Sequence, residues 1–473
     1  MSLIAIARAL VVVGAGMGAV AAGAAGAGAS PAAAAATSSG AQLWAARYHN
    51  AGNGGATAVA VSPDGKTAFV TGWALQAGHT DLSDYVTIAY NAATGARRWL
   101  SRYNDPDNGE DRAYSIAVSR NGETVFVTGY GQGTAGSYNY ATVAYNAATG
   151  ARRWVARYSG IDALDAPSVT VSPDGRTVFV AGSGADATGG YGYITIAYNA
   201  ASGHRRWDTH YAGPVGSGDF AHSVAISPTG KTVFVTGYSL GTRDGYDYAT
   251  VAYNAATGAQ RWAKRYNGAT NGERGANSVA VSPNGKAVFV TGSIYTGKAS
   301  NYDYATVAYN AATGAQLWAG RYSGRAAGDD QAYSVAVSPT GKAVFVTGYS
   351  QGPEGTYDYA TIAYKATTGA RLWVTRLAGP LAGGFGDRAD SVAVSPSGSR
   401  VYVTGETAND AAYRTVAYSA ATGAQLWLQQ YRGAGLGSKA FSVAVSRLGT
   451  VFVTGYSVGD ASGFDYVTIA YRG

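Results

Sequence analysis

The sequence predicts an all-β fold, an eight-bladed β-propeller with four antiparallel strands per blade, closed by an N-terminal strand that completes the last, C-terminal blade. Three observations predict it. Eight tryptophans (Trp44, Trp99, Trp154, Trp207, Trp262, Trp318, Trp373 and Trp427) recur at intervals of 53–56 residues, most of them inside near-copies of NAATGAQLW. A second phrase of the kind SVAVSPTGKAVFVTG, here Ser334–Gly348, appears eight times between them. The copies are also out of phase with the chain: Gly40–Tyr48 supplies a tryptophan strand alone, and the last copy ends at Tyr471-Arg472-Gly473 without one. A unit of this length buries its apolar face only against neighbouring copies.

The elements follow in order. Ala9–Ala29 is an apolar Ala/Gly-rich run behind Arg8, followed by Pro31 and an alanine tract to Ala36. It reads as a secretory signal, with an uncleaved anchor as the other reading. Residues 1–36 are therefore set apart from a propeller spanning 39–473. Within the fifth unit the four strands are Ser278–Ser282, Ala287–Thr291, Tyr304–Tyr309 and Ala315–Tyr322. Pro283-Asn284-Gly285 is a tight hairpin signal between the first two. Between the last two, Asn310 starts a turn through its own backbone and Gly314 takes positive φ without steric cost. VFVTG and ATVAY are apolar on both faces, as in a blade covered by two neighbours, whereas a two-sheet sandwich alternates more cleanly. A β-solenoid is the competing fold, with shorter rungs. An incomplete last blade would leave unpaired edges, so the N-terminal tryptophan strand is expected to pair with the final strand.

Composition narrows function. The chain has 473 residues, 47% hydrophobic, with 67 Gly and 36 Tyr against 11 Phe. Cys is absent, which excludes disulfides, thiolate metal sites and a cysteine nucleophile. The net charge of +7 is dispersed, with no basic run for nucleic acid. A monomer with no membrane span after signal cleavage is expected.

A residue present in every unit builds the scaffold, and one that breaks the pattern is a candidate for a site. Each tryptophan is expected to dock its indole between adjacent blades. The third-strand threonines (Thr87, Thr142, Thr250 and their counterparts) are read as structural. Arg stands three residues after Trp in six units and gives way to His210 and Gln430 in the other two. It is expected to pair with a carboxylate or carbonyl, with an anion-binding ring as the alternative. Asp111, Asp219, Asp330 and Asp387 precede the first strand's serine by four residues, near Glu110, Asp165, Glu273 and Asp329. They are candidate ligands for calcium in a ring at the channel mouth; the favoured reading has each capping its own loop or pairing with the repeated Arg. Asn104–Asp111 (NDPDNGED) lacks EF-hand spacing. The five histidines show no paired metal spacing, and His79 and Trp73 share one atypical loop. No G-x-S-x-G, H-E-x-x-H or P-loop occurs.

Asn-Ala-Ala-Thr-Gly-x-x-x-Trp resembles the tryptophan-docking motif of eight-bladed quinoprotein (PQQ-type) propellers. The wider unit, Gly328–Val337 followed by Val344–Gly348, is similar to SBBP-type bacterial β-propeller repeats. The resemblance covers 39–473 and implies the propeller and a secreted or cell-surface bacterial protein, without implying an activity. The expected function is an exported binding scaffold with a glycan or protein ligand at the channel mouth, where Tyr238, Tyr246, Tyr295, Tyr302, Tyr349 and Tyr357 lie; packing between blades explains these tyrosines equally well. No cofactor is expected, calcium being the metal such a ring would hold. The alternative is an enzyme at the same mouth, a PQQ-like quinoprotein dehydrogenase or a polysaccharide-active lyase or hydrolase. The first lacks the adjacent cysteines that many such enzymes carry, and the second an evident acid/base pair that breaks the repeat.

Overall fold

The computed structural model describes residues 38–473 except 51, 134–136, 160–165, 186–188, 243–244, 268–273, 298–300, 325–327, 353–354, 379–385, 408–411, 434–436 and 460–462. The expected signal, Asp165 and Glu273 lie outside the described residues. The described chain is all β: eight four-stranded antiparallel sheets arranged as a ring, a β-propeller without helices. Blade 1 runs over Gly54–Val61, Thr67–Leu75, Ser83–Asn91 and Arg97–Tyr103, from the channel outward. Blades 2 to 7 repeat it from Asp111, Ser168, Asp219, Arg274, Asp330 and Arg388. Inner strands of successive blades contact one another all round, including blade 8 with blade 1.

Closure occurs as the phase break predicts. The strand Gln42–Tyr48 pairs antiparallel with Phe464–Arg472 as the fourth strand of blade 8. Gly40 N donates to Arg472 O (2.7 Å), and Arg47 joins Asp465 (2.9 Å). No sheet edge between the two chain ends is left open.

The core is divided into eight apolar layers, one in each interface between blades. That is why second and third strands are apolar on both faces. The tryptophan motif is the fastener. Trp262 Nε1 donates to Ala311 O of the next blade (3.1 Å), and six other motif tryptophans repeat this bond at 2.9–3.1 Å. The motif's glycine completes it. Gly314 sits at φ 70°, and a Cβ there would lie 2.7 Å from the Trp262 indole. Gly40 meets Trp427 in the same way across the closure. A second tie lies deeper: Tyr248 Oη donates to Ala305 O (3.2 Å), and in blade 8 Tyr466 reaches Val86 O of blade 1 (3.3 Å). The recurrent threonines are structural, as Thr71 Oγ1 and Thr87 Oγ1 share a buried bond of 3.1 Å.

Candidate functional site at the variable mouth

The ring has two different ends. One carries the hairpins between inner and second strands (Pro283-Asn284-Gly285 in blade 5) and between third and outer strands (Asn310–Gly314), copied from blade to blade. The other carries the connections between second and third strands and between one blade's outer strand and the next blade's inner strand, which differ in each blade. Inner strands start at this variable end.

Near its start the inner strand slips register by one residue, between Ala113 and Ser115 in blade 2 and at the matching place in six other blades. Such a bulge takes one side chain out of the ladder and re-aims it. The bulged residue is of six types in seven blades: Thr57, Tyr114, His222, Asn277, Tyr333, Asp390 and Phe441 in blades 1, 2, 4, 5, 6, 7 and 8. In blade 3 Pro167 precedes the strand that begins at Ser168. Proline donates nothing to a ladder, so the position tolerates it.

The bulge residues alternate. In even blades each is aromatic and begins a radial row of rings across three strands. His222–Tyr238 centroids lie 4.9 Å apart and Tyr238–Tyr246 5.0 Å. Tyr114–Tyr130–Tyr138 (5.3 and 4.9 Å), Tyr333–Tyr349–Tyr357 (5.8 and 4.7 Å) and Phe441–Tyr456–Phe464 (5.6 and 4.8 Å) repeat the row. The second and third rings always meet edge to face, at 65–84°, the preferred contact of aromatic quadrupoles. In odd blades Ser183, Ser293 and Glu406 replace the second ring, and blade 1 carries Trp73 there. The middle and outer rings of the rows are half-buried.

Charges at this mouth come in balanced groups. Arg112 pairs with Glu110 (2.6 Å) and lies over the Trp73 ring (4.3 Å), which accounts for the one tryptophan outside the motif series. Arg388 contacts Asp390 (3.0 Å) and Glu406 (3.5 Å), Lys439 contacts Glu406 (3.0 Å), and Arg388 also lies 5.1 Å from the Tyr333 ring. Burial pushes the Asp390 carboxyl upward, opposed by Arg388 and Lys439.

The four aspartates singled out from sequence stand at the starts of inner strands in blades 2, 4, 6 and 7, all buried. Asp111, Asp219 and Asp330 each accept a backbone amide six residues upstream, from Asp105, Gly213 and Gly324, at 2.6 Å. Asp387 accepts from Arg414. Among the described residues no three of His, Asp and Glu gather as a metal site. Burial raises the Asp111 carboxyl to about 8 and Asp330 to about 6. Asp330 rises less because the Ser350 hydroxyl as well as an amide supports its charged form; blade 2 has Gly131 in place of that serine. Asp219, beside Ser239 and Arg265, is raised by burial too.

The repeated arginine does pair with carboxylates: Arg102 with Asp84 (2.8 Å), Arg265 with Asp247 (2.9 Å) and Arg376 with Asp358 (2.9 Å). In blade 7, where Gln430 replaces it, Arg414 on the paired strand supplies the guanidinium instead. Of the tyrosines named from sequence, Tyr238–Tyr246 and Tyr349–Tyr357 belong to the aromatic rows, and Tyr295–Tyr302 (5.7 Å) is a separate pair in blade 5. Sequence reasoning missed the bulge residues and the Arg388–Asp390–Glu406–Lys439 group. Their signal was present, since these positions vary inside a unit whose flanks are copied.

A family model described as outer membrane protein assembly factor BamB matches residues 28–242, 190–352 and 247–463. Among solved structures, BamB from Moraxella catarrhalis aligns at TM-score 0.50 and 15% identity, covering 91% of this chain and 97% of that one. Quinohemoprotein alcohol dehydrogenase ADHIIG from Pseudomonas putida HK5 aligns at 0.55 and 14%, covering 91% and 76%. Chaetomium thermophilum Sqt1, solved bound to the N-terminus of the ribosomal protein L10, aligns at 0.57 and 14%, covering 90% and 98%. At these identities the likeness is one of fold. No curated protein matches the sequence.

Proposed function

The chain belongs to the family of the outer membrane protein assembly factor BamB, and on that premise we propose that it is an exported, extracytoplasmic bacterial scaffold of SBBP-like repeats that seats a protein or glycan partner on its variable mouth. One observation supports this: near the variable mouth seven of the eight inner strands carry a bulge whose residue is of six types, while the opposite end is copied. In blades 1 and 5 the bulge residue bonds the next blade, whereas in blades 2, 4, 6 and 8 it begins a row of rings, and bulges are retained where a side chain must be re-aimed. Sqt1 shows that a ring of this fold accommodates a protein segment.

The enzymatic alternative draws on the quinohemoprotein neighbour. PQQ carries several carboxylates and is held with a divalent cation, so it calls for unspent cationic donors and a free carboxylate set. Here Arg112, Arg388 and Lys439 are matched by carboxylates, and Asp111, Asp219 and Asp330 each accept an amide of their own loop in separate blades, no three carboxylates gathering among the described residues. The described residues do not fit that group, and no step through it or through calcium is derived.

The test is a photo-cross-linking amino acid placed at Gln331, half-buried at the variable mouth, or at Leu317, 49% exposed on an outer strand near the copied end. Adducts in the exporting cell are expected from position 331 and not from 317. Adducts from 317 alone would refute the assignment.

A further inference from the structure

The eightfold ring carries a fourfold pattern. The aromatic row recurs in blades 2, 4, 6 and 8 with its second and third rings edge to face each time, and the blades between them interrupt it with a small or polar residue at the matching position: Thr57, Pro167, Asn277 or Asp390. The rows of rings thus recur every two blades, although the structural repeat is one.

From this we propose that the variable mouth binds a neutral glycan, with the four aromatic rows as equivalent sugar-binding stations; the inference rests on the mouth being the binding face. Three features select the ligand. The middle and outer rings of the stations are half-buried tyrosines, with Phe464 outermost in blade 8, and their broad apolar faces match the apolar C–H faces of a pyranose. Among the described residues the cations beside these rows carry carboxylate partners, Arg112 with Glu110, Arg388 with Asp390 and Lys439 with Glu406, which favours a neutral ligand over a polyanion. One station repeated four times suits a ligand of one repeated unit, whereas a protein surface offers different chemistry at each quarter turn. The flank of the blade 4 station is also open. Gly275 of the next blade faces it, and a Cβ there would meet nothing nearer than Tyr238 Cδ1 at 3.7 Å. Glycine is the residue that lets a ligand approach the backbone.

The experiment titrates the full chain calorimetrically with cellohexaose, xylohexaose and chitohexaose, with oligogalacturonate as the acidic control and a random peptide pool as the protein control. At least one neutral hexasaccharide is expected to bind. Tyr349→Ala combined with Tyr456→Ala should weaken it about tenfold or more, in line with the loss of aromatic contacts. Tyr349→Phe, which keeps the ring, should retain binding within about threefold and guards against misfolding of the alanine variant. Leu426→Ala, exposed near the copied end, should change nothing. No binding of any neutral hexasaccharide at millimolar concentration overturns the glycan assignment, and so does stronger binding of the acidic oligomer. Peptide binding that is lost in the double variant, with the sugars silent, overturns it while leaving the mouth as the interaction face. Binding indifferent to the tyrosines but lost in Leu426→Ala overturns both.

Discussion

At the copied end of the ring Gly314 lies on Trp262 and Gly95 on Trp44 in the same way, whereas at the variable end His222 fills in blade 4 the bulge that Asn277 fills in blade 5. The same strands run through both ends. At the first, each side chain must satisfy a neighbour that is a copy of itself, so any change has to be made eight times over. At the second, the bulge releases one residue from the ladder in seven blades, and that residue changes without altering the strand pairing, although Thr57 and Asn277 each bond a carbonyl of the next blade. Closure is therefore carried by one end and variation by the other, and substitutions should separate the two.

The largest effect belongs to the copied end. Trp262→Ala removes a 7% exposed indole and its bond to Ala311 O. It should cost about 3–5 kcal/mol through the cavity left between blades 4 and 5, read as a shift in the urea unfolding midpoint. An unchanged midpoint would break the claim that the docked indole holds adjacent blades. Next comes Gly314→Ala. At φ 70° a Cβ is strained, and here it would also press on the Trp262 ring at 2.7 Å. A loss of about 1–3 kcal/mol is expected by the same measurement.

These first two predictions concern features that were legible in the sequence. The motif is written eight times, and its broken phase at Gly40–Tyr48 and Tyr471 announced the closing strand. Recurrence is a filter tuned to a period of one unit, and so it missed what has a period of two. Tyr130, Tyr238, Tyr349 and Tyr456 are spaced by two blades and appear as irregularity until blades are compared in pairs. The bulge was hidden for a different reason, since it exists only in the pairing of Ala113 and Ser115 against Gly129 and Thr128. Blade 7 shows the same limit. Gln430 reads as a lost arginine, and only the register Arg414↔Gln430 reveals that the guanidinium has moved to the adjoining strand. Local turn chemistry and burial can be read along a chain, but cross-strand substitution requires the strands to be aligned.

A third prediction concerns the variable end, where Asp111 is buried at the start of its strand. Its carboxyl sits at about 8 when folded against an ordinary 3.8, chiefly through burial, so between these values the folded chain holds a proton that the unfolded chain has released. Stability from this group is complete below about pH 4 and is lost as pH rises through 8. Asp111→Asn keeps an acceptor for the Asp105 amide and cannot ionise. Thermal melts of both proteins from pH 5 to 9 should therefore shift in favour of the variant as pH rises. Parallel curves would show that Asp111 is ionised throughout.

The smallest effect on stability belongs to the variable end, and it separates the two ends most sharply. His222→Asn places in blade 4 the residue that blade 5 already carries at the matching bulge. The ladder loses nothing, because pairing passes from Ala221↔Gly237 to Ser223↔Thr236 without position 222. The substitution removes the edge-to-face contact with Tyr238 at 4.9 Å, a kind of contact worth about 0.5–1.5 kcal/mol. Asn at the site should recover part of this with its own hydrogen bonds, leaving a net loss below about 1 kcal/mol in the unfolding midpoint. A loss as large as that of Trp262→Ala would mean that the bulge residues are fasteners too, and the division of labour between the two ends would fail. A small loss would establish that the variable mouth is free to change while the ring stays shut, the condition a family of interaction scaffolds needs in order to diversify.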